Sequence, residues 1–351
     1  MKRLLIFVNK FDKADDLLGF FVGWVNELAE GLDKITVITQ KKGEYDQRDN
    51  VEVISLEKDK NKNPIVRSWK LNSHLFQLRG NYDGVFVIMA PAWAIVAFPA
   101  IKILRKKLYL WYAVWKGSWK LKLAEKLVDK IFSSVKEAFP FQSRKLELIG
   151  QGVDTDKFSR DRSVQDFNKI LFLGRISPVK KIEVLFKALA KIREARPEIY
   201  QRLSCDIAGD VARGKDKHYL NELKRLATEL NLGSKIKWLG KIPHKNTPEH
   251  YKRSGIFVNL TPVGSFDKSM LEAMACGNLI LVSNSALANF LNPSFRELFI
   301  FRQDDLEELS EKLVKLLELN ETDKYREELR NIIINNHSQE QWAQNFIKNT
   351  E

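Results

Sequence analysis

Three side chains in this 351-residue sequence are spaced for phosphate chemistry: Arg175, Lys180 and Glu272. Arg175 and Lys180 follow Gly174 at the end of the apolar run 170–173. That run reads as a buried strand, a glycine turn and then an amphipathic helix with Leu185, Ala188 and Leu189 facing inward. Doubly wound sheets bind ligands at the carboxyl ends of parallel strands, and two cations there can neutralise a diphosphate leaving group. Gly174 permits close backbone approach at the same place. Glu272 stands in Gly264-Ser-Phe-Asp-Lys-Ser-Met-Leu-Glu272-Ala-Met-Ala-Cys-Gly277, after the apolar run 256–260, which Thr261 and Pro262 end. The spacing sets Glu272 about one turn inside a helix. The first free amides of that helix, around Ser269, Met270 and Leu271, can hold a phosphate while the carboxylate accepts from ribose hydroxyls.

The Glu272 stretch resembles the C-terminal half of the retaining family-four glycosyltransferases of the GT-B fold, which carry a Glu, seven residues, then Glu-Ala-Met-Ala-Cys-Gly or close variants. Here Gly264 stands at the first Glu, so the contact which that residue makes to the transferred sugar is not carried over. The family's Gly-Arg-x4-Lys pattern matches Gly174, Arg175 and Lys180 residue by residue. Residues 149–158 resemble its Asn-Gly-Val-Asp-Thr-x-x-Phe segment, with Gln151 in place of the Asn and Asp154 as a turn former. In the family, the loops after the strands near 205–209 and 236–240 flank the nucleotide base. That makes Gly209 and Gly240 donor-side candidates, with ordinary turn glycines as the alternative.

The resemblance implies a metal-independent hexosyltransferase of glycan biosynthesis, working with retention and without a cofactor beyond its substrate. The donor would be a nucleotide sugar, a UDP-sugar favoured and a GDP-sugar the alternative, and the acceptor a glycan or a lipid-linked sugar. Arg175 and Lys180 would stabilise charge on the leaving diphosphate, which itself takes the acceptor proton. Glu272 would position the nucleotide. Gly264, together with the lack of a histidine between residues 84 and 140, leaves a second reading open. That reading is a catalytically degenerate GT-B protein that binds nucleotide or glycan without turnover.

The elements that must position these residues alternate between strand and helix throughout, which predicts an α/β chain with parallel sheets. The length suits two domains. The expected architecture is two doubly wound Rossmann-like domains facing across a cleft. An acceptor domain covers 1–158, a polar linker 159–168, a donor domain 169–334, and a C-terminal helix 335–351 crosses back onto the first domain. In that helix Ser338 is the expected N-cap, and Trp342 and Phe346 share one face. Near the N-terminus Asp15 and Asp16 precede a helical pattern, so either can cap it. The family's glycine-rich loop falls here, which makes Asp16 and Gly19 acceptor-side candidates.

The uncharged stretch 84–101 holds two prolines and reads as a strand plus a helix rather than a membrane span. After it, residues 105–130 mix cations with Trp111, Tyr112, Trp115 and Trp119, a composition that suits an anionic membrane surface. A packed core beneath solvated lysines is the alternative reading. The net charge of +13 fits an anionic partner. No zinc-finger spacing, helix-turn-helix or RNP-type aromatic pair occurs, which argues against nucleic acid. Cys205 and Cys276 stand alone in apolar segments, and the five histidines lack metal-ligand spacing. A reducing cytoplasm is expected, with the resemblance adding peripheral attachment to the cytoplasmic face of the membrane.

Overall fold

The computed structural model describes residues 1–211, 214–262 and 266–351. The chain forms two compact units, Met1–Gly152 with Asn336–Glu351, and Val153–Asn335. The first unit runs β1 (Arg3–Phe11), α1 (Phe20–Gly31), β2 (Lys34–Lys42), β3 (Val51–Ser55), α2 (Pro64–Gln77), β4 (Gly84–Ile88), α3 (Pro91–Ile103), β5 (Lys107–Trp111), α4 (Trp119–Leu127), β6 (Lys130–Ser133) and β7 (Leu146–Leu148). Among the described residues its sheet is seven-stranded, in the order β3-β2-β1-β4-β5-β6-β7, and the strand pairs are parallel.

Alternation along these strands splits the core in two, because successive side chains point to opposite faces. Leu5, Phe7, Val85, Val87, Leu108 and Leu110 pack beneath α2, α3 and α4. Leu4, Ile6, Val8, Phe86, Ile88 and Trp111 pack on the other side, against α1 and the last helix of the chain, Gln339–Thr350. There Trp342 stacks on Trp24 with ring centroids 4.2 Å apart, and Phe346 lies 4.3 Å from Phe86. Ser338 caps this helix, accepting from the Gln341 amide at 3.1 Å. Gly152 closes the first unit with φ +64, and a Cβ there would meet the Trp24 ring at 2.4 Å. The position therefore takes glycine, and the Trp24 indole donates to its carbonyl at 2.7 Å.

The second unit runs β8 (Asp166–Leu173), α5 (Ile182–Ala195), α6 (Pro197–Arg202), β9 (Ser204–Ala208), α7 (Lys217–Glu229), β10 (Ile236–Gly240), α8 (Thr247–Lys252), β11 (Ser254–Asn259), α9 (Lys268–Ala275), β12 (Leu279–Val282), α10 (Pro293–Phe299), α11 (Leu306–Glu318) and α12 (Asp323–His337). The last helix is α13. Among the described residues the second sheet is five-stranded, in the order β10-β9-β8-β11-β12, again with parallel pairs. Both sheets are α/β and doubly wound, and in each the order reverses beside the first strand, between β1 and β4 and between β8 and β11.

Several boundaries differ from the sequence reading. The units divide at Gly152 and Val153, and residues 159–168 belong to the second unit rather than standing apart as a linker. Their charges looked solvated, but Arg160 pairs with Asp323 of α12. Gln165 donates to the Ser254 and Gly277 carbonyls at 3.0 and 3.2 Å, and β8 has begun by Asp166. Near the N-terminus neither Asp15 nor Asp16 is the cap of α1, whose N-cap is Gly19 with no side-chain cap; Asp15 accepts from the Leu17 and Leu18 amides at 2.9 and 2.8 Å, in the turn before that helix. The turn it closes delays α1 to Phe20. Trp111 is strand and core rather than surface, at 2% exposure. Among the described residues no helix is long and apolar enough to cross a membrane.

Candidate functional site

Three glycines converge at the carboxyl end of the second sheet. The Gly174 amide donates to the Ala208 carbonyl at 3.0 Å, and the Gly209 amide to the Gly240 carbonyl at 2.8 Å, so the loops after β8, β9 and β10 lie side by side. Gly209 has φ +142, and a Cβ there would collide with the Gly174 carbonyl oxygen. Only glycine lets these loops close so tightly.

The loop after β8 carries the two cations. Arg175 is exposed and makes no ion pair among the described residues. Lys180 is the opposite: it ends a short turn, Pro178–Lys180, and is buried at 9% exposure. Its ammonium donates to Asp267 Oδ2 at 2.5 Å and to Thr261 Oγ1 at 2.8 Å. The Thr261 hydroxyl and the Asn259 amide also donate to Asp267 Oδ2, at 2.8 and 3.1 Å. Thus the end of β11, the start of α9 and the turn after β8 meet on one carboxylate. Asp267 occupies the N-cap position of α9 without capping it through its side chain. Of the expected phosphate-binding amides, Ser269 lies in the first turn of α9, whose amides have no intrahelical acceptor. The Met270 amide donates to the Asp267 carbonyl at 3.2 Å, and Leu271, at the fourth helical position, lies past the amides a helix leaves open. The side chains of Met270 and Leu271 are core. Gly264 lies outside the described residues.

Glu272 is buried at 5% exposure with both oxygens engaged. The His244 Nε2 nitrogen lies 3.1 Å from Oε1, and the Tyr251 hydroxyl donates to Oε2 at 3.2 Å. Burial works to raise this carboxyl. The His244 contact, the charge of Lys268 and the Tyr251 hydroxyl outweigh it and hold the group below its ordinary value, as a carboxylate. Burial also pushes the Lys268 ammonium down, to about 7, against the pull of Glu272 and Asp154. That side chain as a whole is half-exposed, so water screens part of the penalty. Lys157 is lowered by burial as well, and its ammonium lies 3.4 Å from His244 Nδ1. Asp154 accepts from the Lys157 amide at 2.9 Å, as a turn former does. The result is an ionised carboxylate with fixed orientation and a cationic surround. A carboxylate has more than two acceptor positions, so Glu272 keeps capacity for ligand hydroxyls.

His244 and Tyr251 were not found from sequence. They lie 28 and 21 residues before Glu272, and nothing in their own neighbourhood marks them. Asp267 was within reach, since it sits inside the Glu272 stretch five residues from the carboxylate. Asp16 and Gly19 lie in the first unit, at the turn before α1. A Cβ on Gly19 would meet the Asp15 carbonyl oxygen at 2.5 Å, so tight packing of that turn already explains the glycine. Both cysteines are buried and free.

A family model described as glycosyl transferases group 1 matches residues 153–339. The D-inositol 3-phosphate glycosyltransferase of Geodermatophilus obscurus is 28% identical over 149 residues, which are 40% of this chain and 33% of that protein. Mannosylfructose-phosphate synthase of Agrobacterium fabrum is 24% identical over 157 residues, 42% of this chain and 34% of that protein. The match therefore spans about a third of the length of these curated relatives. Among solved structures, Anabaena HepE in complex with UDP and glucose superposes with a TM-score of 0.74 at 16% identity, over 100% of this chain and 99% of that one. Sucrose-phosphate synthase from Thermosynechococcus elongatus gives 0.76 at 16% identity, over 100% and 98%. At such identities the structural likeness speaks for the fold. The family match covers more than half of the 351 residues and takes in both the Gly174 turn and Glu272, so the chain belongs to the group 1 glycosyl transferases, the family-four enzymes of the GT-B fold.

Proposed function

We propose that this protein transfers a sugar from a nucleoside-diphosphate sugar, with retention at the anomeric carbon and without a metal, to a glycan or lipid-linked acceptor. The observation that carries the reading is the pairing of Arg175, exposed and outside any ion pair among the described residues, with Lys180 at the carboxyl end of β8, beside the first turn of α9. In this account the donor diphosphate takes Arg175 and the Ser269 amide directly and shares Lys180 with Asp267. Glu272, oriented by His244 and Tyr251, accepts from the ribose hydroxyls. The bond from the anomeric carbon to the diphosphate breaks, the acceptor oxygen bonds to that carbon on the same face, and the acceptor proton passes to the departing phosphate oxygen. The protein stabilises the charge that collects there, an effect worth about 3–4 kcal/mol per well-placed donor. UDP is the favoured nucleotide, with GDP the alternative, because HepE was determined with UDP and UDP-glucose.

Trp115, Trp119 and Leu123 are exposed among Lys116, Lys120, Lys122 and Lys126, which supports peripheral attachment to an anionic membrane on its cytoplasmic face. The test has two parts. A thermal-shift panel of UDP, GDP, ADP and dTDP should single out one nucleotide, and the matching donor should yield product whose anomeric configuration, read by NMR, equals the donor's. An inverted product would overturn retention. Binding without any nucleotide release would overturn turnover.

A further inference from the structure

Resting on the donor reading above, we propose that Lys157 and His244 are positioning residues of the nucleotide site. They form a hydrogen-bond relay, from Lys157 through His244 to Glu272, that fixes the tautomer of the histidine and holds the carboxylate for the vicinal hydroxyls of a ribose. The relay follows from which atoms can donate. An ammonium only donates, and an ionised carboxylate only accepts. Lys157 Nζ lies 3.4 Å from His244 Nδ1, and His244 Nε2 lies 3.1 Å from Glu272 Oε1. Nδ1 therefore accepts, Nε2 carries the proton, and a neutral imidazole stands between a cation and an anion. The other tautomer would set an N–H against the ammonium and a lone pair against the carboxylate, so both contacts would turn repulsive.

The three members come from distant parts of the second unit, and each is held by its own surroundings. Lys157 lies in the turn 154–158, where Asp154 accepts from its amide at 2.9 Å. Arg330 of α12 clamps that turn, donating to the Phe158 and Thr155 carbonyls at 2.9 and 3.0 Å. His244 opens the short turn before α8, and the Thr247 hydroxyl donates to its carbonyl at 2.9 Å. The buried ring of Phe158 lies 5.7 Å from His244 and 5.9 Å from Tyr251. One aromatic ring backs both side chains that bond to Glu272. Lys157 reaches the carboxylate only through the imidazole, and what it adds is direction: it bars the tautomer and the ring flip that would take the N–H away from Oε1. Held in this way, Glu272 offers its remaining lone pairs to adjacent hydroxyls. A site built to bond a hydroxyl rejects the analogue that lacks it, so the relay selects a ribonucleoside diphosphate over its 2′-deoxy counterpart.

The test crosses protein variants with ligand hydroxyls. Calorimetric titration of the full chain gives the affinities of UDP and 2′-deoxy-UDP for wild type, Lys157→Met, His244→Phe and His244→Gln. Wild type should prefer UDP by about tenfold or more. His244→Phe keeps a ring and removes the donor, so the preference should fall to about twofold, whereas the amide of His244→Gln donates in its place and should keep most of it. Lys157→Met should fall between. Long-range proton–nitrogen correlation spectra of the free wild type, with the His244 signal assigned by its loss in His244→Phe, should show the ring proton on Nε2. The proposal is overturned by a proton on Nδ1, by equal affinities in wild type, or by a preference that survives in His244→Phe or is unchanged in Lys157→Met. Those results leave diphosphate binding through Arg175 standing. Wild type that binds neither nucleotide overturns the donor reading and the proposal together.

Discussion

At the scale of single residues, Lys180 and Arg175 fall into different structural roles although one turn carries both. Lys180 is a buried cation whose partner, Asp267, is nearly as enclosed, with side-chain exposures of 11% and 15%. Removing one member of such a pair strands the other, whereas removing both need not. Lys180→Ala should therefore cost about 3 kcal/mol of unfolding free energy, and the double variant with Asp267→Ala should recover about half or more of it, measured by urea denaturation. Equal losses in the single and double variants would show that Asp267 does not depend on Lys180. What the sequence carried at this scale was local: Gly174, Arg175, Lys180 and Glu272 stand in short runs whose spacing is itself the signal. The surround of Glu272 was illegible because His244 and Tyr251 reach it only through the fold, from either end of α8.

At the scale of elements, α13 acts as an element of the first unit's core. Its Trp342 and Phe346 are fully buried among Trp24, Phe86 and Phe132. Trp342→Ala should cost about 3–5 kcal/mol, with exposed apolar surface reported by dye binding; wild-type stability would mean the ring contributes no packing. The helical spacing of the two aromatics made this face legible, as alternation made the strands. The same composition misleads at Trp111, because a strand that ends in aromatics next to lysines reads like a surface. Just before α13, burial pushes His337 down to about 3, so it stays neutral in the folded chain. Below about pH 6.5 the unfolded chain binds a proton there that the folded chain does not, so the contribution is lost as pH falls from about 6.5 toward 3. From pH 7 to pH 5 this group should lower stability by about 2 kcal/mol. His337→Gln should remove that part of the pH dependence, and an unchanged pH profile would show that the imidazole is protonated in place.

At the scale of the whole molecule, each of the two parallel sheets was legible from apolar runs alternating with amphipathic segments. The true border at Gly152 was not, because Arg160 and Arg162 in residues 159–168 pair with α12, far along the sequence, and tie that polar stretch to the second unit. The large-scale surface feature is the basic and aromatic edge around α4. Wild-type protein should sediment with anionic vesicles at low salt and release as salt shortens the screening length to about 10 Å at 0.1 M. Charge reversal of Lys116, Lys122 and Lys126 should abolish sedimentation; binding that survives reversal would assign the edge another role. The central claim is that the second unit holds a nucleoside diphosphate on the turn after β8, and its most direct measurement is the affinity of UDP for wild type and for Arg175→Ala. Arg175 is exposed and outside any ion pair among the described residues, so the variant should fold as the wild type does. The account predicts saturable UDP binding by wild type, weakened about tenfold to a hundredfold in Arg175→Ala through loss of a charge-assisted contact worth about 1.5–3 kcal/mol. Equal UDP affinity in the two proteins, or no binding of any nucleoside diphosphate by wild type, would contradict it.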